Sequence, residues 1–528
     1  MKKWRNIHLP DITIIFILLV YIATDFYHHR WTIDKGPERG VIKWDIISYY
    51  AYLPATFIYK DLKLDFVYDP EFKNDNKIWF TETENGGRLI ITSMGLAIMY
   101  SPFFFMAHAL APVFGEPRTG YSSIYQFFIV FGALFYVIIG LFVLKKILMK
   151  YFDERVTALT LLAIGLGTNL YYYATYEAAM SHSFNFTLLT LFFYVFIRWY
   201  EKQEWLYAIL TGLLMGLITL VRPTNVLVFI VFFLWGVFSW KDFLNRLFFY
   251  IRKFHLVLLM LLCFLLVWLP QFLYWKYITG EFFFYSYGPA GGRFYFDHPH
   301  ISEMLIGYRK GWFLYTPLML IAVMGIFFLI KKMPGSVWAI LLFLLAMIYV
   351  QSSWWAWYFG GGFGGRAFID MYGIMALPLA AIISKGLEQK HRFIRISATV
   401  IVAVLVLFQV FQTTQYYKGA IHYTGMTKTA YWETFLKLKT TGKYWQSLTM
   451  PDPQLARKGI YVYYLTGEDK TYLKKLTKEE AIDLIIKQIN EDRELMKDIE
   501  RYAKRVHDDP DEAIKMVADR IYEYKKDW

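Results

Sequence analysis

The chain of 528 residues carries a single cysteine, Cys263, which falls inside an apolar run. One thiol supports neither an internal disulfide framework nor a cysteine-based metal site. Charge is scarce as well: Asp, Glu, Lys and Arg make up 19% of the sequence, against roughly 25% in soluble domains. The charges present cluster between apolar stretches of bilayer-spanning length. This pattern excludes a disordered chain, a soluble enzyme and a nucleic-acid module. The net charge of +13 therefore reads as membrane-flank charge rather than a nucleic-acid surface. No repeat of roughly 20–50 residues is visible and the two halves do not match, so solenoid and inverted-repeat readings gain no support. Met1-Lys-Lys-Trp-Arg is followed by no small-residue cleavage site, and its apolar run continues into Tyr21, Phe26 and Tyr27. It reads as an uncleaved first helix.

Hydrophobic residues, by contrast, make up 57% of the chain and aromatic residues 20%. Apolar stretches run over 11–27, 94–114, 123–144, 156–174, 183–199, 205–221, 224–240, 255–274, 312–330, 336–352, 367–383 and 396–413. Basic clusters decide which of them cross. Lys2, Lys3 and Arg5, then Lys145, Lys146, Lys150 and Arg155, Arg198 and Lys202, and Lys241, Arg246, Arg252 and Lys253 alternate with apolar runs. Lys331 and Lys332, and Lys385, Lys390, Arg392 and Arg395, continue the series. All of these face the cytoplasm only if 94–114, interrupted by Pro102 and Pro112, does not cross. The expected fold is an all-α polytopic membrane protein with about 11 transmembrane helices, its N-terminus inside and C-terminus outside. The first outer loop, 28–122, is expected to hold a juxtamembrane or re-entrant helix pair, with 94–114 as a hairpin. A membrane domain then covers 1–414. Residues 415–528 form a small soluble helical tail, in which Thr477 and Glu480 make a capping box and Asp509-Pro510-Asp511 separates two amphipathic helices.

Chemistry is expected on the outer side. Read as a helix, 43–57 places Asp45, Ser48, Tyr49 and Tyr52 on one face. Asp45, in the first turn, is either a general base or metal ligand at the lipid boundary, or only a helix cap. Glu177 and His182 flank a short connector, as a second acid or substrate contacts, or as parts of an ordinary turn. Leu220-Val-Arg222-Pro-Thr-Asn225 sets an arginine at a helix junction, where it grips a phosphate with its fork or snorkels to lipid. Arg309 and Lys310 stand at the mouth of the next helix, suited to an anionic headgroup. Asp297, His298 and His300 have metal-ligand residue types without a recognised ligand spacing.

Trp354-Trp-Ala-Trp357 leads into a glycine run ending at Arg366. Gly360, Gly362 and Gly365 match G-x-G-x-x-G formally, but no strand precedes them, which rejects a dinucleotide site. Glycine-loop amides beside Arg366 are suited to an anion, and Trp354, Trp355 and Trp357 to a sugar or prenyl chain. An interfacial aromatic belt is the plainer reading.

Taken together, the first-loop acid, Leu220–Asn225, Trp354–Arg366 and the helical tail resemble the C-type integral-membrane glycosyltransferases. The bacterial members similar to protein mannosyltransferases and aminoarabinose transferases are nearest in pattern, and the resemblance spans roughly 1–413. It implies sugar transfer from a polyprenyl-phosphate donor to a lipid, glycan or protein acceptor, with inversion, on the outer (periplasmic) face of the inner cytoplasmic membrane. Asp45 would be the catalytic acid, with Tyr49, Glu177 and His182 near the substrate. Arg222, Arg309, Lys310 and Arg366 would bind donor phosphate. The usual pair of first-loop acids is missing, since Trp44-Asp45-Ile46 offers one carboxylate. No cofactor is firmly expected, a divalent metal is possible but not favoured, and no metal ligands are assigned. The expected partners are the donor lipid, the bilayer and the acceptor, with no nucleic acid. An O-antigen-type polysaccharide polymerase or ligase is the alternative, because the loop 275–311 carries Arg293, His298, His300 and Arg309. A membrane carrier is the more distant one.

Overall fold

The computed structural model describes residues 8–33, 40–69, 78–83, 85–288, 291–468 and 476–526. Lys2, Lys3 and Arg5 of the expected cytoplasmic clusters lie outside the described residues. Helix formation follows the apolar runs. α1 (Leu9–His28) leads into a first loop holding α2 (Asp45–Tyr50), α3 (Tyr52–Phe57) and α4 (Gly95–Leu110). Next come α5 (Ser123–Leu148), α6 (Glu154–Leu166), α7 (Leu170–Thr175), α8 (Ser181–Lys202) and α9 (Trp205–Val221). α10 (Val228–Leu234), α11 (Trp240–Arg252), α12 (Phe254–Thr279), α13 (Ile301–Ile306) and α14 (Trp312–Tyr315) follow. α15 (Pro317–Lys332) and α16 (Pro334–Ser352) precede a 3-10 helix, Arg366–Met371, that runs into α17 (Tyr372–Leu387), and α18 is Arg392–Tyr417. The tail carries α19 (Lys428–Thr434), α20 (Gly442–Gln446), α21 (Pro453–Arg457), α22 (Lys478–Glu491), α23 (Arg493–Val506) and α24 (Pro510–Lys526).

The fold is all-α and polytopic. Among the described residues seven helices are long and apolar enough to cross a membrane, and 205–221 and 223–234 are shorter apolar helices. Several expected spans are interrupted: 156–174 breaks between α6 and α7, and 224–240 begins as a 3-10 turn and ends at Leu234. The chain divides into two compact units: 1–290, 315–348 and 364–413, and 291–314, 349–363 and 414–528.

In the first unit, α9 and α12 run parallel. A Cβ on Gly212 would press on the Met260 backbone and one on Gly216 would meet Phe264 and Val267, while Trp268 donates to Thr219 at 2.9 Å. This is the small-residue stripe that lets membrane helices approach closely. Segment 94–114 corrects one expectation. It is not a hairpin but a single helix extended by a 3-10 turn, with Pro102 inside it. The Ser101 hydroxyl donates to the Ile98 carbonyl at 2.8 Å, the acceptor that proline leaves without its helical donor. Gly95 lies against Leu220 and Val221 at the end of α9, and His108 bonds Tyr125 in the first turn of α5. Both ends of α4 thus lie beside helix termini that the expected topology places on one face.

In the second unit, α22, α23 and α24 pack Ile485, Ile489, Ile499, Val517 and Ile521 together with Leu455 and Tyr464. The Thr477–Glu480 capping box forms. The tail has one more break than the sequence suggests, because Asp492 accepts from the amides of Glu494 and Leu495 and starts α23.

Gly212→Leu should lower the thermal midpoint of the detergent-solubilised protein, since an added side chain there forces α9 off α12. The expected loss is about 1–3 kcal/mol, the usual range for overpacking.

Candidate functional site

Asp45 is the first residue of α2, and no side chain caps that helix. Asp45 stands as the acid of the first turn, one position past the N-cap Trp44. Trp44, just before it, has φ 49° and ψ −132°, a conformation that L side chains rarely adopt. Gln126 of α5 accepts from the amides of Val41 and Ile42, each at 2.8 Å, and pins the approach to Asp45. Downstream, Thr92 donates to Ser48 at 3.2 Å and Tyr52 donates to the Thr92 carbonyl at 2.6 Å. α2 and α3 are thus fixed to the chain at Thr92.

The Asp45 carboxylate accepts from Arg366 at 3.1 Å. Its side chain remains 40% exposed, whereas that of Arg366 is 10% exposed. Tyr49 lies in the fields of Asp45, Arg222 and Arg366; burial pushes its phenol up. Glu177, between α7 and α8, accepts from the Tyr172 hydroxyl at 3.2 Å. Burial pushes its carboxyl up, and Arg366 and Arg30 pull only partly the other way. Arg30 donates to the neighbouring Tyr176 carbonyl at 2.7 Å.

A second cluster surrounds Asp370, fully buried and not singled out by the sequence reading. Its Oδ2 accepts from Arg222 at 3.1 Å, Asn185 at 3.1 Å and Asn225 at 2.8 Å. Its Oδ1 lies 3.4 Å from His182 Nδ1, which is itself 3.1 Å from Arg222 Nη1. An acid inside an apolar run was the available signal, since ionisable groups in membrane segments are rare and face polar partners.

One turn of 3-10 helix serves both clusters. Arg366 and Asp370 are four residues apart, a spacing that in an α-helix puts opposite charges side by side. With three residues per turn they diverge by about a third of a turn. Arg366 reaches Asp45 while Asp370 reaches Arg222. The first unit thereby brings together Asp45, Tyr49, Glu177, His182, Arg222 and Arg366 among the residues expected from sequence. It also brings in Asp370, Asn185 and Arg30, which sequence reasoning missed, and Asn225, which it named only as the end of the Leu220–Asn225 motif. Among the described residues no group of three or more His, Cys, Asp or Glu side chains is placed to hold a metal ion.

The other expected residues belong to the second unit. Arg309 donates to the carbonyls of Thr424 and Thr449 and, at 2.7 Å, to the Thr449 hydroxyl. Lys310 donates to the carbonyls of Gly362 and Tyr423. Trp357 is buried, stacks on His300 and donates to Tyr463 at 3.3 Å. Trp354 pairs with Phe294, and Arg457 lies over the Trp355 ring. His298 sits 3.7 Å from Asp498. Here these side chains tie loop to loop within the second unit.

No protein-family model and no curated protein matches the chain. Among solved structures it is similar to the archaeal oligosaccharyltransferase of Archaeoglobus fulgidus in complex with an inhibitory peptide and a dolichol-phosphate. The identity is 12% and the TM-score 0.46, over 84% of this chain and 59% of that one. It is also similar to an Archaeoglobus fulgidus oligosaccharyltransferase tethered with an acceptor peptide, at 13% identity and a TM-score of 0.42, over 78% of this chain and 55% of that one. The chain thus spans less than two thirds of the length of these solved chains.

Because Glu177 is held above its ordinary value, the unfolded chain ionises it first as pH rises past 4.5, and the folded state is penalised from there upward. Glu177→Gln should raise the thermal midpoint at pH 7, with the gain vanishing below pH 4.5. A pH-independent difference would contradict this assignment.

Proposed function

We propose that the protein is a membrane glycosyltransferase that moves a sugar from a polyprenyl-phosphate donor to a hydroxyl-bearing acceptor, a lipid, glycan or protein. The observation that carries the reading is the pairing of a half-exposed carboxylate, Asp45, with the buried Arg366, in one cluster with Tyr49, Glu177, His182 and Arg222. An accessible carboxylate beside guanidiniums is what a displacement at a sugar phosphate requires.

In this reading Asp45 takes the proton of the acceptor hydroxyl. The hydroxyl oxygen forms a bond to the anomeric carbon as the bond from that carbon to the phosphate oxygen breaks. The electron pair stays on the departing polyprenyl phosphate. Arg366 and Arg222, already oriented, stabilise the charge that grows there, so no dipole has to reorganise during the step. A single displacement inverts the anomeric configuration. Tyr49, Glu177 and His182 contact the sugar, with Glu177 available as a second acid. The sugar and acceptor follow from substrate screening.

We place the site on the outer face of the cytoplasmic membrane. The basic clusters at 145–155 and 385–395 support this, because they fall at the opposite ends of the spans from Asp45, Arg222 and Arg366. In a Cys263→Ser background, a cysteine at Lys497 should react with an impermeant maleimide on intact cells, whereas one at Lys150 should not. The reverse pattern would put the site inside.

Asp45→Asn keeps shape and removes the basic lone pair, so transfer from a purified polyprenyl-phosphate sugar should fall by about 10²–10⁴. Donor binding should change little. Near-normal transfer by this variant would remove Asp45 from the chemistry and the reading with it.

A further inference from the structure

Asp370 stands out among the charged groups of the first unit because its surroundings are arranged for it. Three donors from three other parts of the chain converge on it: Asn185 of α8, Arg222 at the end of α9, and Asn225 in the 3-10 turn after Pro223, with His182 Nδ1 of α8 3.4 Å from its other oxygen. Both asparagines turn their amide nitrogens to Asp370. Their amide oxygens, Asn185 Oδ1 and Asn225 Oδ1, are buried without a hydrogen-bond partner. A buried acceptor left unmade is unfavourable, and two of them at one carboxylate mean that the local structure favours an ionised Asp370 over satisfied amides. A simple tie between helices needs no charge, and replacing a buried ion pair with apolar packing is often neutral or stabilising.

Nη1 of Arg222 meets Asp370 Oδ2 and His182 Nδ1, each at 3.1 Å. Arg222 itself is extended, at φ −145° and ψ 107°, between α9 and Pro223. Its backbone position is set by the junction, and its guanidinium plane by the corner that Asp370 and His182 hold. We propose that Asp370 is a positioning residue that orients the Arg222 guanidinium to receive the phosphate of a polyprenyl-phosphate ligand. This rests on the phosphate-binding reading given above for Arg222.

The test uses the full chain in lipid nanodiscs, with farnesyl phosphate as the probe and farnesol as its uncharged counterpart. Dissociation constants are measured for wild type, Asp370→Asn, Arg222→Gln and the double variant. Asp370→Asn should weaken farnesyl phosphate by about tenfold, the scale of a misdirected charge-assisted hydrogen bond, and leave farnesol unchanged. The double variant should bind farnesyl phosphate no more weakly than Arg222→Gln alone, because Asp370 acts only through Arg222. Wild-type affinity in Asp370→Asn, or losses that add in the double variant, would overturn the positioning role. Wild-type affinity in Arg222→Gln would instead sink the phosphate reading itself. Should Asp370→Asn fail to fold, Asp370→Glu, which keeps the charge but displaces the carboxylate by one methylene, takes its place in the same comparison.

Discussion

A carboxylate inside a membrane protein has to be met by donors, and the burial of Asp370 is the constraint around which the first unit is organised. Its partners lie far apart in sequence, on α8, on the end of α9 and in the turn that follows Pro223. None of them can move alone without leaving a charge or an amide unpaired in a low-dielectric setting, where that is most unfavourable. The helix termini that carry His182, Arg222 and Asn225 are therefore held in register by one oxygen pair. Because the same 3-10 turn carries Arg366 to Asp45, the first loop is fastened to this framework as well.

The two acid–arginine pairs differ in a way that matters for chemistry. Asp370 is fully buried and surrounded by donors, so it suits orientation rather than proton exchange. Asp45 is half-exposed and held on one side only, so it can meet a substrate hydroxyl. Strain at Trp44 accompanies this placement. Non-glycine residues in such conformations persist only where surrounding contacts over-determine them, as the Gln126 and Thr92 hydrogen bonds do here.

Much of this was legible beforehand. Apolar runs of bilayer length marked the polytopic helical body, because hydropathy reports directly on burial in lipid. Asp45, Glu177, His182, Arg222 and Arg366 drew attention as polar residues at helix ends. Asp370 did not, because it lies within a run that reads as an ordinary apolar span, and only the winding of Arg366–Met371 separates it from Arg366. The asparagines were hidden for the same reason: an amide in a helix carries no sign of which carboxylate it serves. Pro102 misled the reading of 94–114, since a hydroxyl one residue away makes good the missing hydrogen bond. Arg309 and Lys310 show a different limit. Cations at a helix mouth resemble phosphate ligands, and the backbone carbonyls and the Thr449 hydroxyl that they bond here are partners that no side-chain pattern reveals.

The most direct measurement is a cryo-electron microscopy map of the protein in nanodiscs with a bound polyprenyl phosphate. The account predicts phosphate density within hydrogen-bonding distance of the Arg222 and Arg366 guanidiniums, with Asp370 still on Nη1 of Arg222 and Asp45 facing the lipid headgroup. Phosphate density elsewhere on the molecule, with both arginines paired only to their carboxylates, would contradict it.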